Sequence, residues 1–262
     1  MDDKICSICR SATPISFHAT VLKRYNVKYY YCSHCGLLQT ERPYWLEEAY
    51  STAISDADTG LIQRNIRLSK VTACLLYFLL GKDLKCLDTA GGYGLFTRLM
   101  RDYGFDFYWA DKYCENIFSK GFSLDTTTPP FTVVTAFEVL EHIHDPLSFL
   151  KETLQETKAG TIIFSTWLFE KIPPQPQDWW YYSFDSGQHI SFYQHKTLKH
   201  IAKLLGLNLY SNQGGLHMLT ENVFRPLAFK LLTSKYSGLI FEYVKKKMRS
   251  MTHFDHEKLV RG

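Results

Sequence analysis

The sequence predicts an α/β chain with a small cysteine-rich module in front of it, and three features carry that expectation. Residues 85–94 (KCLDTAGGYG) run into LFTRLMRDYG, which has the form strand, glycine-rich turn, helix. A turn without side chains lets the backbone approach a ligand closely at a strand's carboxyl end. Further apolar segments of strand length follow at 105–110, 131–137 and 161–166, and a helical pattern covers 195–205. Before all of them stand two Cys-x-x-Cys pairs.

The chain has 262 residues, of which 45% are hydrophobic, enough for one large core plus an appendage. A net charge of +4 admits an anionic ligand without calling for nucleic acid. The opening Met1-Asp2-Asp3 is acidic with no apolar core behind it, unlike a secretory signal. The most apolar stretch, 71–80, is well short of the ~20 residues that span a bilayer. A soluble, cytoplasmic protein with reduced thiols is expected, and there paired cysteines point to metal rather than disulfides.

Cys6 and Cys9 are separated from Cys32 and Cys35 by twenty-two residues. Each pair presents two thiolates from one tight turn, and two such turns close a tetrahedral shell around zinc. Four protein ligands leave no open position, so the zinc is expected to be structural and to supply the module's folding energy. Residues 21–31, rich in Val and Tyr, are expected to form the strand that returns the chain to the metal. His34 lies between ligands and is a possible substitute for one. Cys74, Cys86 and Cys114 sit in apolar surroundings and are expected to be small buried hydrophobes.

The polar stretch 41–60 is expected to be a linker, and apolar residues at helical spacing through 61–80 a helix. Past the glycine-rich turn, the strand at 105–110 ends in Asp111, placed to accept hydrogen bonds from a ribose. Asp88 opens the turn, where it would repel a pyrophosphate and welcome an ammonium. The small residues Ala90, Gly92 and Gly94 are closer together than in a dinucleotide-binding turn. The segment at 131–137 then runs into Glu138-Val-Leu-Glu141-His142.

At these residues the chain resembles class I S-adenosylmethionine (SAM)-dependent methyltransferases, over roughly 84–221. The resemblance implies a seven-stranded Rossmann-like α/β sheet with its last strand antiparallel. It also implies that Asp88, Gly92 and Gly94 line the methionine end of SAM and that Asp111 holds the ribose. Ala90, Gly91, Tyr93, Lys112 and Glu138 complete the expected cofactor-binding set. Ala90 departs from the family pattern, standing where its first loop glycine is usual.

Methyl transfer is an in-line displacement that often needs a base for the acceptor's proton. His142 and His189 are the candidate bases, His142 ahead by a small margin. Glu141 would orient or tune either one. An ordinary imidazole would put a limb of the pH profile near neutrality. The plainer alternative is that Glu141 and His142 only fix the loop. The Glu-x-x-Glu-His run also resembles ubiquinone-pathway O-methyltransferases, in which the matching residues, here Glu138, Glu141 and His142, hold a divalent metal.

Residues 167–193 are too long for mere wiring and are expected to form a substrate lid. A stiff PPQPQ segment is followed there by Trp179, Trp180, Tyr181 and Tyr182, faces suited to a sugar ring or a base, with at least two expected in the core. The cysteine module, the EVLEH strand end and GQHISFY together resemble methyltransferases of bacterial polysaccharide and deoxysugar pathways. The leading expectation is a methyltransferase acting on a sugar or glycan. The alternatives are an O-methyltransferase of another hydroxylated small metabolite, a zinc-ribbon ribosomal RNA methyltransferase, and a SAM-binding protein without catalysis. Beyond Asn222, two amphipathic helices are expected to pack on the domain or a second copy, with a peripheral membrane contact as the lesser possibility. The expected organisation is a zinc-binding module (1–45), linker and leading helix (46–83), methyltransferase domain (84–221) and C-terminal helical extension (222–262).

Overall fold

The computed structural model describes residues 4–51, 58–212 and 214–261. The elements in chain order are β1 (Lys4–Ile5), β2 (Ala12–Thr13), β3 (Ile15–Val21), β4 (Tyr25–Tyr31), β5 (Leu38–Thr40), α1 (Leu46–Ala49) and α2 (Leu61–Leu75). Next come β6 (Lys85–Thr89), α3 (Leu95–Asp102), β7 (Asp106–Ala110), β8 (Val133–Ala136), α4 (Pro146–Thr157) and β9 (Thr161–Ser165). The chain continues through β10 (Ser191–Phe192), α5 (His195–Leu205), β11 (Asn208–Ser211), β12 (Leu216–Thr220), α6 (Pro226–Leu232), α7 (Ser237–Lys247) and α8 (Thr252–Arg261).

The central sheet has the order β11-β12-β9-β8-β6-β7. β7, β6, β8 and β9 are parallel, and β12 enters antiparallel to β9, as the resemblance implied. Among the described residues the sheet has six strands, not seven. Where an edge strand beyond β7 would lie, residues 111–130 are rich in Asp, Ser and Thr and end in Pro129 and Pro130, poor material for a ladder. Only a single bridge, Trp109 to Ser123, remains of that edge.

Alternation along the strands builds two cores. Cys86, Val133, Ile163 and Met218 face one side with Leu68, Met100, Phe229 and Phe241. Leu87, Val134, Ile162 and Leu219 face the other with Leu150, Leu198 and Ile201. A sheet apolar on both faces must be covered on both, which makes the strands read as near-continuous hydrophobic runs. Helix starts follow local chemistry: Asp145 caps α4 through the Ser148 N–H (3.2 Å), with Pro146 as the first helical residue. Gln194 and Thr197 form a reciprocal cap on α5.

Several expectations are corrected in detail. The run 21–31 is not one strand, because Leu22 and Lys23 turn with φ of 51° and 55° between β3 and β4. The leading helix is α-helical to Leu75 and continues as a π turn to Leu80. The linker contains the short α1, and its residues 52–57 lie outside the described ones. The two helices expected over 223–250 are α6 and α7, and a third, α8, follows them. The third is held by Asp255, which is buried and accepts from Arg101 Nη2 (2.7 Å) and Nε (2.8 Å) and from Arg98 Nη2 (2.8 Å). No helix among the described residues is long and apolar enough to cross a membrane.

The cysteine module is built into the rest of the chain. β5 pairs with β4 on one side and with β10 on the other, giving a second sheet of order β10-β5-β4-β3. Its core joins Val27, Tyr29 and Trp45 to Phe169, Tyr181, Tyr182 and Phe192. Cys6, Cys32 and Cys35 pack into the core on the α4 and α5 side of the central sheet.

Candidate active site

The loop after β6 is stapled to the end of β7. Gly91 N–H donates to the Ala110 carbonyl (3.0 Å) and the Trp109 indole to the Gly92 carbonyl (2.8 Å). Asp111 accepts from Gly92 N–H (2.9 Å), Tyr113 N–H (2.7 Å) and Cys114 N–H (2.8 Å). A Cβ at Gly91 would stand 2.6 Å from Asp88 Oδ2, so only glycine fits there. Gly94, at φ 85°, starts α3. Ala90 takes the left-handed region at φ 53°, a conformation glycine adopts without strain and alanine rarely does.

Asp88 is buried beneath this loop. Thr135 Oγ1 donates to its Oδ1 (2.7 Å). Burial pushes its carboxyl up to about 7, against the Thr135 bond and with the Asp111 charge adding to the rise.

The end of β8 turns sharply at Glu138, a non-glycine residue at φ 54°. Its N–H donates to Ser165 Oγ (2.8 Å), whose hydroxyl donates back to Oε1 (2.5 Å). Arg64 of α2 approaches Oε2 at 3.7 Å and donates to both Asp58 carboxylate oxygens (3.1 and 2.7 Å).

One cavity of about 1200 Å³ joins the two ends of the site. Asp88, Ala90, Gly91, Gly92, Tyr93, Asp111 and Glu138 line it, and so do His142, His189, Trp179 and Trp180. Of the expected cofactor-binding residues, Gly94 is buried and Lys112 is not part of the lining, its ammonium standing over the ring of the lining residue Tyr113 (5.3 Å). Tyr181 and Tyr182 are the two aromatic residues of the 179–182 run that pack in the core, and Trp180 is 74% exposed at the mouth.

His142 and His189 meet edge to face, ring centroids 4.9 Å apart. His142 Nδ1 lies 3.1 Å from the Gln188 carbonyl and 2.9 Å from the Tyr50 hydroxyl, and His189 Nδ1 lies 2.7 Å from the Tyr181 carbonyl. A carbonyl can only accept, which assigns the proton of each ring to Nδ1 and leaves Nε2 with a lone pair. Burial lowers His142 to about 3, helped by His189, and lowers His189 to about 4. Glu141 is fully buried and neither carboxylate oxygen has a hydrogen-bond partner. Burial raises it to about 8, with Glu138 adding to the rise.

Tyr50, Arg64 and Gln188 are site residues that sequence reasoning missed. Arg64 carried a signal, because Leu61, Arg64, Asn65 and Leu68, at helical spacing, all line the cavity. Tyr50, in a stretch without periodicity, carried none.

The module supports this end directly. The Trp45 indole donates to the Gly187 carbonyl (2.8 Å) and Gln188 Nε2 to the Ala49 carbonyl (2.8 Å), at the two residues just before His189. Gln39 donates to Ser191 Oγ (3.3 Å), next to Ile190. Cys6 and Cys35 sulfurs are 3.5 Å apart, Cys9 and Cys32 3.4 Å, and all four lie within 4.8 Å of one another. Zn–S bonds of about 2.3 Å fit a group of that size. Cys6 is drawn down to about 5 by the Cys35 thiol, while Cys35 is raised by the same contact and Cys32 by burial. His34 lies outside this group, edge-on to His200. Cys74 and Cys86 are buried as expected, whereas Cys114 lines the cavity.

A family model described as a methyltransferase domain matches residues 62–212. No curated protein matches the chain. Among solved structures, an O-methyltransferase family 2 protein from Planctomyces limnophilus, in complex with apigenin, aligns with TM-score 0.46 and 13% identity over 63% of this chain and 60% of that one. Magnesium protoporphyrin IX methyltransferase from Synechocystis with bound SAM aligns at 0.37 and 11% over 67% and 90%. A possible histamine N-methyltransferase from Thermotoga maritima aligns at 0.44 and 13% over 62% and 92%. This chain thus spans about three fifths of the length of the first. With more than half of its residues inside the family match, the chain belongs to the methyltransferase-domain family.

Proposed function

We propose that the acceptor is a sugar or glycan, as a nucleotide-sugar, deoxysugar or polysaccharide unit, methylated at the histidine end of the cavity. The observation that carries this is the single cavity, which Trp179 and Trp180 line together with His142, Gln188 and His189. Aromatic faces stack on the apolar side of a sugar ring while polar groups take its hydroxyls. SAM lies at the other end. Asp88 is drawn back to its ionised form by the methionyl ammonium, and Arg64 brings a positive charge toward the methionyl carboxylate. Glu141, His142 and His189 act on the acceptor's proton as the methyl moves. The four-cysteine group holds one structural zinc, and a reducing cytoplasm suits cysteines kept out of disulfides.

Asp111 tests the cofactor end. A carboxylate offers about four acceptor sites, and three are taken by backbone N–H groups. One charge-assisted bond to the ribose remains, worth roughly 1.5–3 kcal/mol, and the rest of the residue's effect comes through the position of Gly92. Asp111→Ala should weaken SAM binding at least about tenfold by calorimetry. An unchanged affinity would remove Asp111 from the site.

The acceptor is tested with methyl-labelled SAM against nucleotide-sugars, simple phenols and ribosomal RNA fragments. Label on the sugar supports the proposal. Label only on a phenol or only on RNA replaces it with the corresponding alternative.

A further inference from the structure

Glu141, His142 and His189 each offer one donor atom, all within 4.8 Å of one another. We propose that these three side chains form a site for a first-row divalent transition-metal ion, separate from the four-cysteine group. The imidazoles are prepared for it, since each is fixed through Nδ1 to a backbone carbonyl, Gln188 for one and Tyr181 for the other. That outer contact sets the tautomer and turns the Nε2 lone pair to the ion, the usual arrangement behind metal-bound histidines.

Glu141 supplies the independent sign. It has no exposure, yet neither carboxylate oxygen has a partner at hydrogen-bond geometry; the hydroxyls of Tyr181 and Thr166, 3.2 Å apart, lie near enough only to offset part of the rise that burial imposes on it. A buried polar group left unsatisfied in an otherwise well-bonded structure calls for an explanation such as an ion. The set is not the one suggested by the Glu-x-x-Glu-His resemblance. Glu138 is taken up by Arg64 and by Ser165, and His189, from the aromatic loop, stands in its place.

Two imidazoles and one carboxylate suit Zn²⁺, Co²⁺, Mn²⁺ or Fe²⁺ with positions left open. Bonds of about 2.1 Å would draw the three donors closer together on binding. The proposal rests on the proposed function only for what the ion does: with both Nε2 lone pairs on the ion the rings no longer take the acceptor's proton themselves, and the ion, at the acceptor end, would polarise the acceptor's oxygen and ease loss of its proton.

The test uses purified protein with its cysteine group filled with zinc, titrated with Co²⁺ alone and followed by calorimetry and the visible spectrum. Wild type should take up one further equivalent with the weak bands of nitrogen and oxygen ligands, not the strong ones of thiolates. His189→Ala and the isosteric Glu141→Gln should each weaken that uptake at least about tenfold, with unchanged SAM affinity as proof of folding. No further equivalent in wild type, or uptake that both variants keep, overturns the site. Loss of labelled sugar with Co²⁺ uptake intact would overturn the acceptor assignment and leave the metal site standing.

Discussion

His142→Ala should bind SAM with normal affinity and transfer methyl about 10²–10⁴-fold more slowly, the usual cost of losing a positioned proton-transfer group. The separation follows from the cavity. His142 touches Tyr50, Gln188 and His189 and none of the residues that anchor the glycine-rich loop. Its variant should therefore leave the Asp88 and Asp111 end intact. His189→Ala should behave in the same way. The pH profile differs from the expectation for ordinary imidazoles, because burial places both far below neutrality, at about 3 and about 4. Both are uncharged over the working range, and Glu141, raised to about 8, is the member of the group that titrates near it. Full turnover in both histidine variants, on an acceptor that wild type methylates, would dismiss the group from the chemistry.

Cys32→Ser should lose one zinc equivalent and much of the soluble protein, and what stays folded should lose methyl transfer. Structural zinc sites contribute about 10–16 kcal/mol of apparent binding energy, which in so small a module is folding energy. The loss would not stay local. Strand β4 leads directly into Cys32, β5 follows Cys35, and β5 carries the pairing that holds β10 just after His189. Metal analysis with transfer rates on the same sample checks this. A zinc-free Cys32→Ser protein with full turnover would mean that the module does not hold the histidine end.

What was legible in the sequence is what local chemistry dictates. The strand, turn and helix around 85–102 follow from glycines at φ of 55° and 85° between an apolar run and an amphipathic one. The start of α5 at His195 and of α4 at Pro146 follow from their caps. The four cysteines came together because two tight turns can close on one point. What was not legible depends on partners distant in the chain. β5 and β10 are three and two residues long and pair across some 150 positions, so neither has a pattern of its own. The same holds for Tyr50 meeting His142 and for Asp255 meeting Arg98 and Arg101, where a polar residue is explained only by what it reaches. The missing edge strand was expected from resemblance, and the polar, proline-ended composition of 111–130 overrode it.

Cofactor and acceptor occupy separate ends of one cavity in the proposed arrangement. Calorimetric titration of SAM into wild type, Asp111→Ala and His142→Ala tests it most directly. Wild type should bind SAM, Asp111→Ala should bind it at least about tenfold more weakly, and His142→Ala should keep wild-type affinity. Equal loss of SAM binding in both variants, or no binding by wild type, would contradict it.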